Sequence, residues 1–294
     1  MSAATYVTAQ IMRMLPRAKI SRAVGNLADW SWPPALGNTV VGLYTRVYDV
    51  ALDESEGRGP WSCFDEFFTR PLRKGVRKIE ADPRTVVSPA DGNLVSSGRI
   101  DPGGTFLVKG RPYSVGELIG SEIEAHQFQG GSGAVVYLSP REYHRVHAPV
   151  GGSIRRIRSI PGDYFPVNAV GMRHVPRLFC RNRRVAIDID ADAGLGRVTV
   201  VMVVAMIVGR ITTIGIEERD VVAGDHLFDP PLRVERGEEI GMFHLGSTAV
   251  VLIESRAAVS WLASEGPIRL GEPLCRGAAG DDASLDGALR EGPR

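Results

Sequence analysis

The residues of this 294-residue chain that could carry out covalent chemistry centre on a serine directly after a glycine, Gly246-Ser247. A serine hydroxyl can attack the carbonyl carbon of the preceding residue and convert the amide into an ester. Elimination from that ester leaves dehydroalanine, which hydrolyses to a pyruvoyl ketone and ammonia. A glycine before the serine leaves the carbonyl unshielded and permits a strained backbone. The pair is also typical of a plain hairpin or bulge, so the cleavage hypothesis requires a base elsewhere in the chain.

Two histidines three residues apart, His144 and His147, are the candidates for that base. Histidine titrates near neutral pH, so acid–base catalysis is one interpretation. The alternative is structural, with one ring buried and hydrogen-bonded in the core. We predict no metal site, because further ligands at matching spacing are missing. Asp91 precedes a glycine in a predicted turn, where an aspartate ordinarily bonds to nearby backbone amides.

The elements that must position these residues are predicted to be short β-strands. Branched and apolar side chains in residues 250–253 indicate a strand directly after Gly246-Ser247. Residues 185–190 alternate as a strand does. The apolar run at residues 200–208 is too short for a membrane-spanning helix, which needs about 20 residues, and is predicted to be a buried central strand.

The first 58 residues differ from the rest and are predicted to be helical. Apolar residues at helical spacing form one face in residues 7–15 and another in residues 40–51, with a break at residues 30–34. One interpretation is a pair of helices packed on a catalytic core. The other is an amphipathic segment at a membrane surface, with Trp30 and Trp32 at the level of the lipid headgroups. The two interpretations can hold for different faces of the same helices.

The composition is that of an ordinary globular protein, with 44% hydrophobic and 23% charged residues. A net charge of +1 does not mark a nucleic-acid-binding protein. The 34 glycines and 19 prolines favour many short strands and turns. Three cysteines without metal-site spacing suit a reducing compartment.

We therefore predict an α+β fold, in which N-terminal amphipathic helices precede a largely antiparallel, β-rich catalytic domain. Its expected parts are a helical, membrane-associating region at residues 1–58 and the β-rich domain at residues 59–270. Residues 271–294 are rich in Gly, Ala, Asp and Arg and are predicted to be a disordered tail.

An ordered set of motifs over residues 64–254 resembles the phosphatidylserine decarboxylase proenzymes, a family of pyruvoyl-dependent enzymes of phospholipid synthesis. Each motif is short, but the set occurs in the family's order. The matching stretches are Phe67-Phe68-Thr69-Arg70, Ser88-Pro89-Ala90-Asp91-Gly92, Tyr137-Leu138-Ser139-Pro140, Tyr143-His144-Arg145-Val146-His147-Ala148-Pro149, Pro166-Val167-Asn168, Arg236-Gly237-Glu238-Glu239 and Leu245-Gly246-Ser247-Thr248.

The resemblance implies self-cleavage between Gly246 and Ser247, with Ser247 becoming a covalent pyruvoyl group at the start of a small chain. It implies that Asp91, His147 and Ser247 act together in this step. His147 would take the serine proton while Asp91 fixes the imidazole tautomer. In turnover the lipid amine would form a Schiff base with the pyruvoyl group, and His144 would protonate the carbon that loses carbon dioxide.

The resemblance also implies the partners. The substrate would be phosphatidylserine in a membrane and the product phosphatidylethanolamine. The large and small chains would stay associated, a homodimer is possible, and no nucleic acid is expected. We expect a peripheral enzyme on the cytoplasmic face of the cell membrane.

Three alternatives remain open from the sequence. The first is a pyruvoyl-dependent decarboxylase of a soluble amino acid. The second is a hydrolase that uses Asp91, His147 and Ser247 repeatedly, without self-cleavage. The third is a non-catalytic, β-rich module at a membrane surface, in which Gly246-Ser247 is only a turn.

Overall fold

Two helices open the part of the chain that the computed structural model describes, residues 16–207 and 210–278. They are α1 (Arg17–Ala28) and α2 (Pro34–Tyr48). Proline suits the first helical position of α2, where no backbone N–H is needed, and Asp49 ends this helix with a φ of 54°. Both helices lie where the sequence predicts helical structure, while the predicted apolar face in residues 7–15 falls outside the described residues.

The remaining helical elements are single turns or little more. They are a 3₁₀ turn (Leu52–Glu54), α3 (Phe64–Phe68), α4 (Val115–Ile119), α5 (Glu122–Ala125), a second 3₁₀ turn (His126–Phe128), α6 (Ala169–His174) and α7 (Leu178–Arg181). No helix in the described ranges is long and apolar enough to cross a membrane.

Strands make up most of the rest. They are β1 (Thr85–Val87), β2 (Gly92–Arg99), β3 (Thr105–Val108), β4 (Arg111–Ser114), β5 (Ser132–Leu138), β6 (Arg145–His147), β7 (Gly152–Ile160), β8 (Arg184–Ala191), β9 (Arg197–Val204), β10 (Arg210–Thr213), β11 (Gly224–Val234), β12 (Glu239–His244), β13 (Ser247–Ile253), β14 (Val259–Trp261), β15 (Gly266–Ile268) and β16 (Pro273–Gly277).

An eight-stranded sheet forms the centre of the fold, in the order β11-β7-β8-β9-β13-β5-β2-β15. Its ladders are antiparallel, which confirms the predicted α+β class with a largely antiparallel domain. Strand β13 lies between β9 and β5, and all of its residues are buried. A strand buried on both faces reads as a continuous apolar run, and this explains the sequence of residues 249–253.

Smaller sheets carry the polar residues of interest. Strand β12 pairs with β10 and with β6, and β6 ends at His147.

Strand β16 pairs with β1 and β14, so the β-rich domain extends beyond residue 270, where we expected a disordered tail to begin. Residues 279–294 of that predicted tail lie outside the described part of the chain.

The buried apolar side chains form two clusters. The larger, the sheet core, is built around the eight-stranded sheet. The smaller, the helical cluster, joins α1, α2 and α3 to the residue just before Gly246. Its buried members are Ala28, Val41, Val50, Phe67, Phe68 and Leu245. The Gly246-Ser247 bond therefore lies where the two clusters meet.

Candidate active site

Ser247 is the first residue of β13, opposite Leu138 of β5 and Val204 of β9. Its side chain is enclosed, with 1% of the residue exposed, and its hydroxyl has no hydrogen-bond partner among the described residues. Leaving a buried hydroxyl unpaired costs about 1–3 kcal/mol. An unpaired group of this kind in a central strand requires an explanation.

The strained residue at this site is Leu245, whose φ is +89°, and not Gly246 as the sequence suggested. A left-handed φ is unfavourable for leucine because its Cβ approaches its own backbone. Burial of the Leu245 side chain in the helical cluster offsets this strain. At Gly246 a Cβ would meet no atom within 4 Å, so the space beside this residue is open.

The imidazole of His147 is held at both nitrogens. Nδ1–H donates to the carbonyl oxygen of Gly237 at 2.8 Å, so the lone pair is on Nε2, which accepts from the Tyr143 hydroxyl at 3.0 Å. Gly237 has a φ of +82°, and a Cβ there would lie 2.7 Å from Ile79, so only glycine presents this carbonyl. Burial lowers the pKa of His147, partly opposed by the Gly237 hydrogen bond, and keeps the ring neutral near pH 7.

The carboxylate of Asp91 is bonded to Arg77 and does not bond to His147, contrary to the expected tautomer-fixing contact. Arg77 Nε donates to Oδ1 at 2.9 Å, and the Leu270 backbone N–H donates to the same oxygen at 2.8 Å. A buried carboxylate is better satisfied by a permanently charged, two-pronged guanidinium than by a neutral imidazole. The Gly237 carbonyl therefore fixes the tautomer of His147.

Asp91 nevertheless lies beside His147. The His147 backbone N–H donates to the carbonyl of Pro89 at 2.8 Å, which places the 88–92 loop against β6. The charge of Asp91 also raises the pKa of His147, against the larger effect of burial. The structure thus brings Asp91 and His147 together as neighbours without a direct hydrogen bond.

His144 is fully buried and has one free nitrogen. Nδ1–H donates to the Glu142 carbonyl at 2.8 Å, and Nε2 has no partner among the described residues. The ring lies 4.1 Å from the ring of Phe68, measured between centroids. Burial and, to a smaller extent, the charge of Arg70 lower the pKa of His144 to about 3, although the hydrogen bond to Glu142 opposes them. His144 is thus a neutral imidazole with an available lone pair.

Two cavities flank these residues. A polar cavity of about 320 Å³ is lined by Asp91, Arg77, Arg70 and Tyr143, among others. An apolar cavity of about 350 Å³ lies next to the Gly246-Ser247 bond. Its lining includes Gly246, Leu245, Phe68, Tyr44, Trp32 and Leu27. No cluster of three or more His, Cys, Asp or Glu side chains in the described ranges is arranged to hold a metal ion.

Three functional features were missed by the sequence analysis. Tyr143 and Gly237 both lie in quoted motifs, so a signal existed for them without a role. Arg77 carried no signal, because nothing in its surroundings in the sequence indicates an ion pair with Asp91, 14 residues away.

Comparison with known proteins gives consistent matches over this whole arrangement. The sequence model of the family described as phosphatidylserine decarboxylase matches residues 64–276. A phosphatidylserine decarboxylase proenzyme of Acinetobacter baumannii (strain AYE) is 38% identical over 274 residues, covering 92% of this chain and 95% of that protein. Proteins of the same name from Hahella chejuensis and Bordetella avium are 38% and 39% identical, over 89% of this chain and 90% and 91% of their own lengths.

Proposed function

The chain belongs to the phosphatidylserine decarboxylase family, and on that premise we propose that it cuts itself between Gly246 and Ser247 and uses the resulting pyruvoyl group to decarboxylate phosphatidylserine. The observation that carries the proposal is the unpaired, buried hydroxyl of Ser247, two residues after the strained Leu245. A plain turn explains neither feature.

Self-cleavage begins when Ser247 Oγ attacks the carbonyl carbon of Gly246. A carbon–oxygen bond forms, the amide carbon–nitrogen bond breaks, and the hydroxyl proton ends on the freed nitrogen. The Cα proton of residue 247 is then removed, and the Cβ–oxygen bond breaks to release the Gly246 carboxylate. The remaining dehydroalanine takes up water and loses ammonia, which leaves a ketone.

We assign the first proton transfer to His147. Its lowered pKa keeps Nε2 unprotonated at neutral pH, and the hydrogen bond to Gly237 fixes the ring. In the precursor the Tyr143 hydroxyl donates to Nε2 of His147. For His147 to accept the Ser247 proton, this hydroxyl must move aside or relay the proton. Asp91 favours the imidazolium through its negative charge, at the neighbouring position described above.

The chain fits a pyruvoyl group at residue 247, because the precursor serine is enclosed and its side-chain oxygen is unpaired. Such a ketone supplies an electrophilic carbonyl and a sink for the electron pair left by carbon dioxide. We assign His144 to proton donation in turnover. With a pKa of about 3, His144 is neutral in the precursor, so it must gain a proton before it can donate one. The negative charge of a substrate carboxylate beside Nε2 would favour the protonated ring.

The apolar cavity provides the route for a lipid substrate. Several of its lining residues come from α1 and α2, and residues 27–48 of the same region expose large apolar side chains. These are Leu27, Trp30, Leu36, Leu43, Val47 and Tyr48. We propose that this face lies on a membrane, with the acyl chains outside and the headgroup directed past Gly246.

We propose that the enzyme is peripheral on the cytoplasmic face of the cell membrane, where its free cysteines suit the reducing conditions. The large and small chains remain associated after cleavage, because β13 of the small chain pairs along its whole length with β5 and β9 of the large chain.

Intact-mass spectrometry of the purified protein beside its Ser247→Ala variant tests the proposal. We expect two chains that separate after residue 246, a small chain lighter than the unmodified one by the amine-to-ketone change, and an uncut variant. Ser159→Ala, which removes a buried hydroxyl elsewhere in the sheet, is the matched control and should be cut normally. A wild-type protein that stays a single unmodified chain contradicts the proposal and leaves the hydrolase and the non-catalytic module as the alternatives.

The substrate is tested separately on the cut protein. Release of carbon dioxide from vesicles containing phosphatidylserine is expected, with none from free serine. The reverse pattern would favour the decarboxylase of a soluble amino acid.

A further inference from the structure

A buried hydrogen-bonded pair that the proposed chemistry does not use includes His244, which lies two residues before Gly246. Nδ1–H of His244 donates to the carboxylate of Asp65, with both oxygens at 2.8 Å. Nε2 of His244 lies 3.3 Å from the Thr212 hydroxyl. Only 8% of the His244 side chain and 12% of the Asp65 side chain are exposed. The two residues are 179 positions apart in the sequence.

Arg210 connects this pair to the N-terminal helices. Its Nη2 donates to Asp65 at 2.8 Å and to Asp29, the residue that ends α1, at 2.7 Å. His244 is the last residue of β12, Arg210 is opposite it in β10, and Asp65 is in α3. The cluster therefore ties the end of β12 to both α1 and α3.

The segment next to the cluster is the strained one. Leu245 follows His244 directly, has a φ of +89°, and places its side chain in the helical cluster with Phe67 and Phe68 of α3. One residue beyond Gly246, Ser247 is held by two ladders of the eight-stranded sheet. The helices α1, α2 and α3, which form the helical layer, thus hold the chain before the bond, and the sheet holds the chain after it.

We propose that the Asp65–His244 pair is a positioning site for self-cleavage, which keeps Leu245 in the left-handed conformation and so presents the Gly246 carbonyl to the Ser247 hydroxyl. The inference rests on the proposed self-cleavage and adds residues to it. Neither side chain takes part in bond making. Without the pair, the end of β12 is free to relax, Leu245 returns to a negative φ, and the carbonyl rotates away from the hydroxyl. Intramolecular attack is sensitive to displacements of this size.

The test follows the rate of self-cleavage in His244→Leu and His244→Asn. Leucine keeps the volume but removes the hydrogen bond to Asp65. Asparagine carries an N–H donor on the same carbon, Cγ, as Nδ1 of histidine, and so can still donate to Asp65. We expect His244→Leu to cut itself about tenfold more slowly or worse, and His244→Asn to recover most of the rate. A merely structural role would show in the melting temperature of both variants and would not separate them by cleavage rate.

Hydroxylamine provides a second readout, because it cuts the ester at residue 247 and not the amide. If the pair acts on presentation of the carbonyl, the uncut His244→Leu precursor contains no ester, and hydroxylamine leaves it whole. A His244→Leu precursor that hydroxylamine cuts at 246/247 has already completed the first step, and this result would overturn the inference.

Asp188→Asn is the matched control, because Asp188 is also in a largely buried ion pair of the sheet, with Arg156, away from the bond that is cut. It should cut itself at the wild-type rate. Should His244→Leu not fold, Asp65→Leu, which removes the acceptor of the His244 hydrogen bond, is measured in the same way, with about tenfold slowing expected. A wild-type rate in the folded His244→Leu or Asp65→Leu variant refutes the positioning site alone, whereas an uncut wild type refutes the proposed function.

Discussion

The helical cluster and the sheet core hold the two sides of one peptide bond by different means. In the sheet core, β13 is fixed by backbone hydrogen bonds to β5 and β9, and its register is set over seven residues. In the helical cluster, Leu245 is fixed by its side chain among a few apolar residues, supported by aromatic contacts such as Tyr44 with Phe64 at 5.1 Å between centroids.

The difference shows how strain can be placed next to a reactive serine. A strand with two ladders cannot shift by one residue without moving every side chain to the opposite face, so Ser247 has a fixed position. Because Ser247 is fixed in this way, packing against the helical layer can hold Leu245 in its strained conformation. Removal of side chains from the helical cluster should then affect cleavage, whereas equal removal from the sheet core should affect stability alone.

The largest expected effect is the loss of stability when a buried aromatic ring is removed from either cluster. Phe67→Ala in the helical cluster and Phe106→Ala in the sheet core remove rings that are both almost fully buried. Each should lower the free energy of unfolding by about 3–5 kcal/mol. At a temperature where both variants are folded, Phe67→Ala should cut itself more slowly, and Phe106→Ala should cut itself as the wild type does. Thermal unfolding together with a cleavage time course measures both quantities.

Equal slowing of cleavage in the two variants would show that general loss of stability, and not the helical layer, controls the bond. The two clusters would then not differ in their effect on cleavage. Slowing in Phe106→Ala alone would place the strain in the sheet.

The strands of the sheet core could be predicted because their pattern is local. Residues 250–253 and 185–190 carry branched apolar side chains in patterns that only buried strands satisfy, and they form β13 and β8. The apolar spacing of residues 40–51 likewise predicted a helix where α2 lies, because a helix on a core needs one apolar stripe, although α2 ends at Tyr48.

The details of the site could not be predicted in the same way, because they depend on contacts between distant segments. The choice of Asp91 between Arg77 and His147 is decided by burial and charge in the folded protein. A leucine with a positive φ has no signature in the sequence, since its neighbours in space hold it there. The partners His244 and Asp65 meet only after the helices pack on the sheet.

The next prediction concerns His144, which lies between the two regions with its ring on Phe68. Its pKa is lowered by burial from 6.5 to about 3, so the unfolded state binds a proton more readily than the folded state below pH 6.5. Stability is thus retained above pH 6.5 and lost as the pH falls. By pH 5 this histidine should lower the free energy of unfolding by about 2 kcal/mol. Urea unfolding of the uncut Ser247→Ala protein at pH 7, 6 and 5 measures the loss.

The contribution of His144 is isolated by comparing His144→Gln with His226→Gln in that uncut background. His226 is in β11 on the far edge of the sheet and is partly exposed, so its replacement controls for the loss of a histidine far from the site. His144→Gln should make the free energy of unfolding depend less steeply on pH. If the free energy of unfolding changes equally with pH in the Ser247→Ala protein and in both histidine variants, then water reaches His144 between the helical cluster and the sheet core.

The smallest expected effect is on the outer face of the helical layer. Leu43 and Val47 of α2 are 63% and 66% exposed, so the double variant Leu43→Ser, Val47→Ser should keep the melting temperature and the rate of self-cleavage. Its affinity for vesicles containing phosphatidylserine should fall about tenfold, because each side chain buries apolar area in lipid. Flotation of the cut enzyme with vesicles measures this change.

Leu227 provides the control from the other region, since it is 74% exposed on β11 at the edge of the sheet. Leu227→Ser should bind vesicles as the wild type does. With a short-chain, monomeric phosphatidylserine, the double variant should recover full turnover, because the apolar cavity beside Gly246 is intact and only the membrane contact is lost. If turnover of the short-chain lipid falls as much as that of the vesicles, then α2 acts on the site through packing. The outer and inner faces of the helical layer would then not have separate functions.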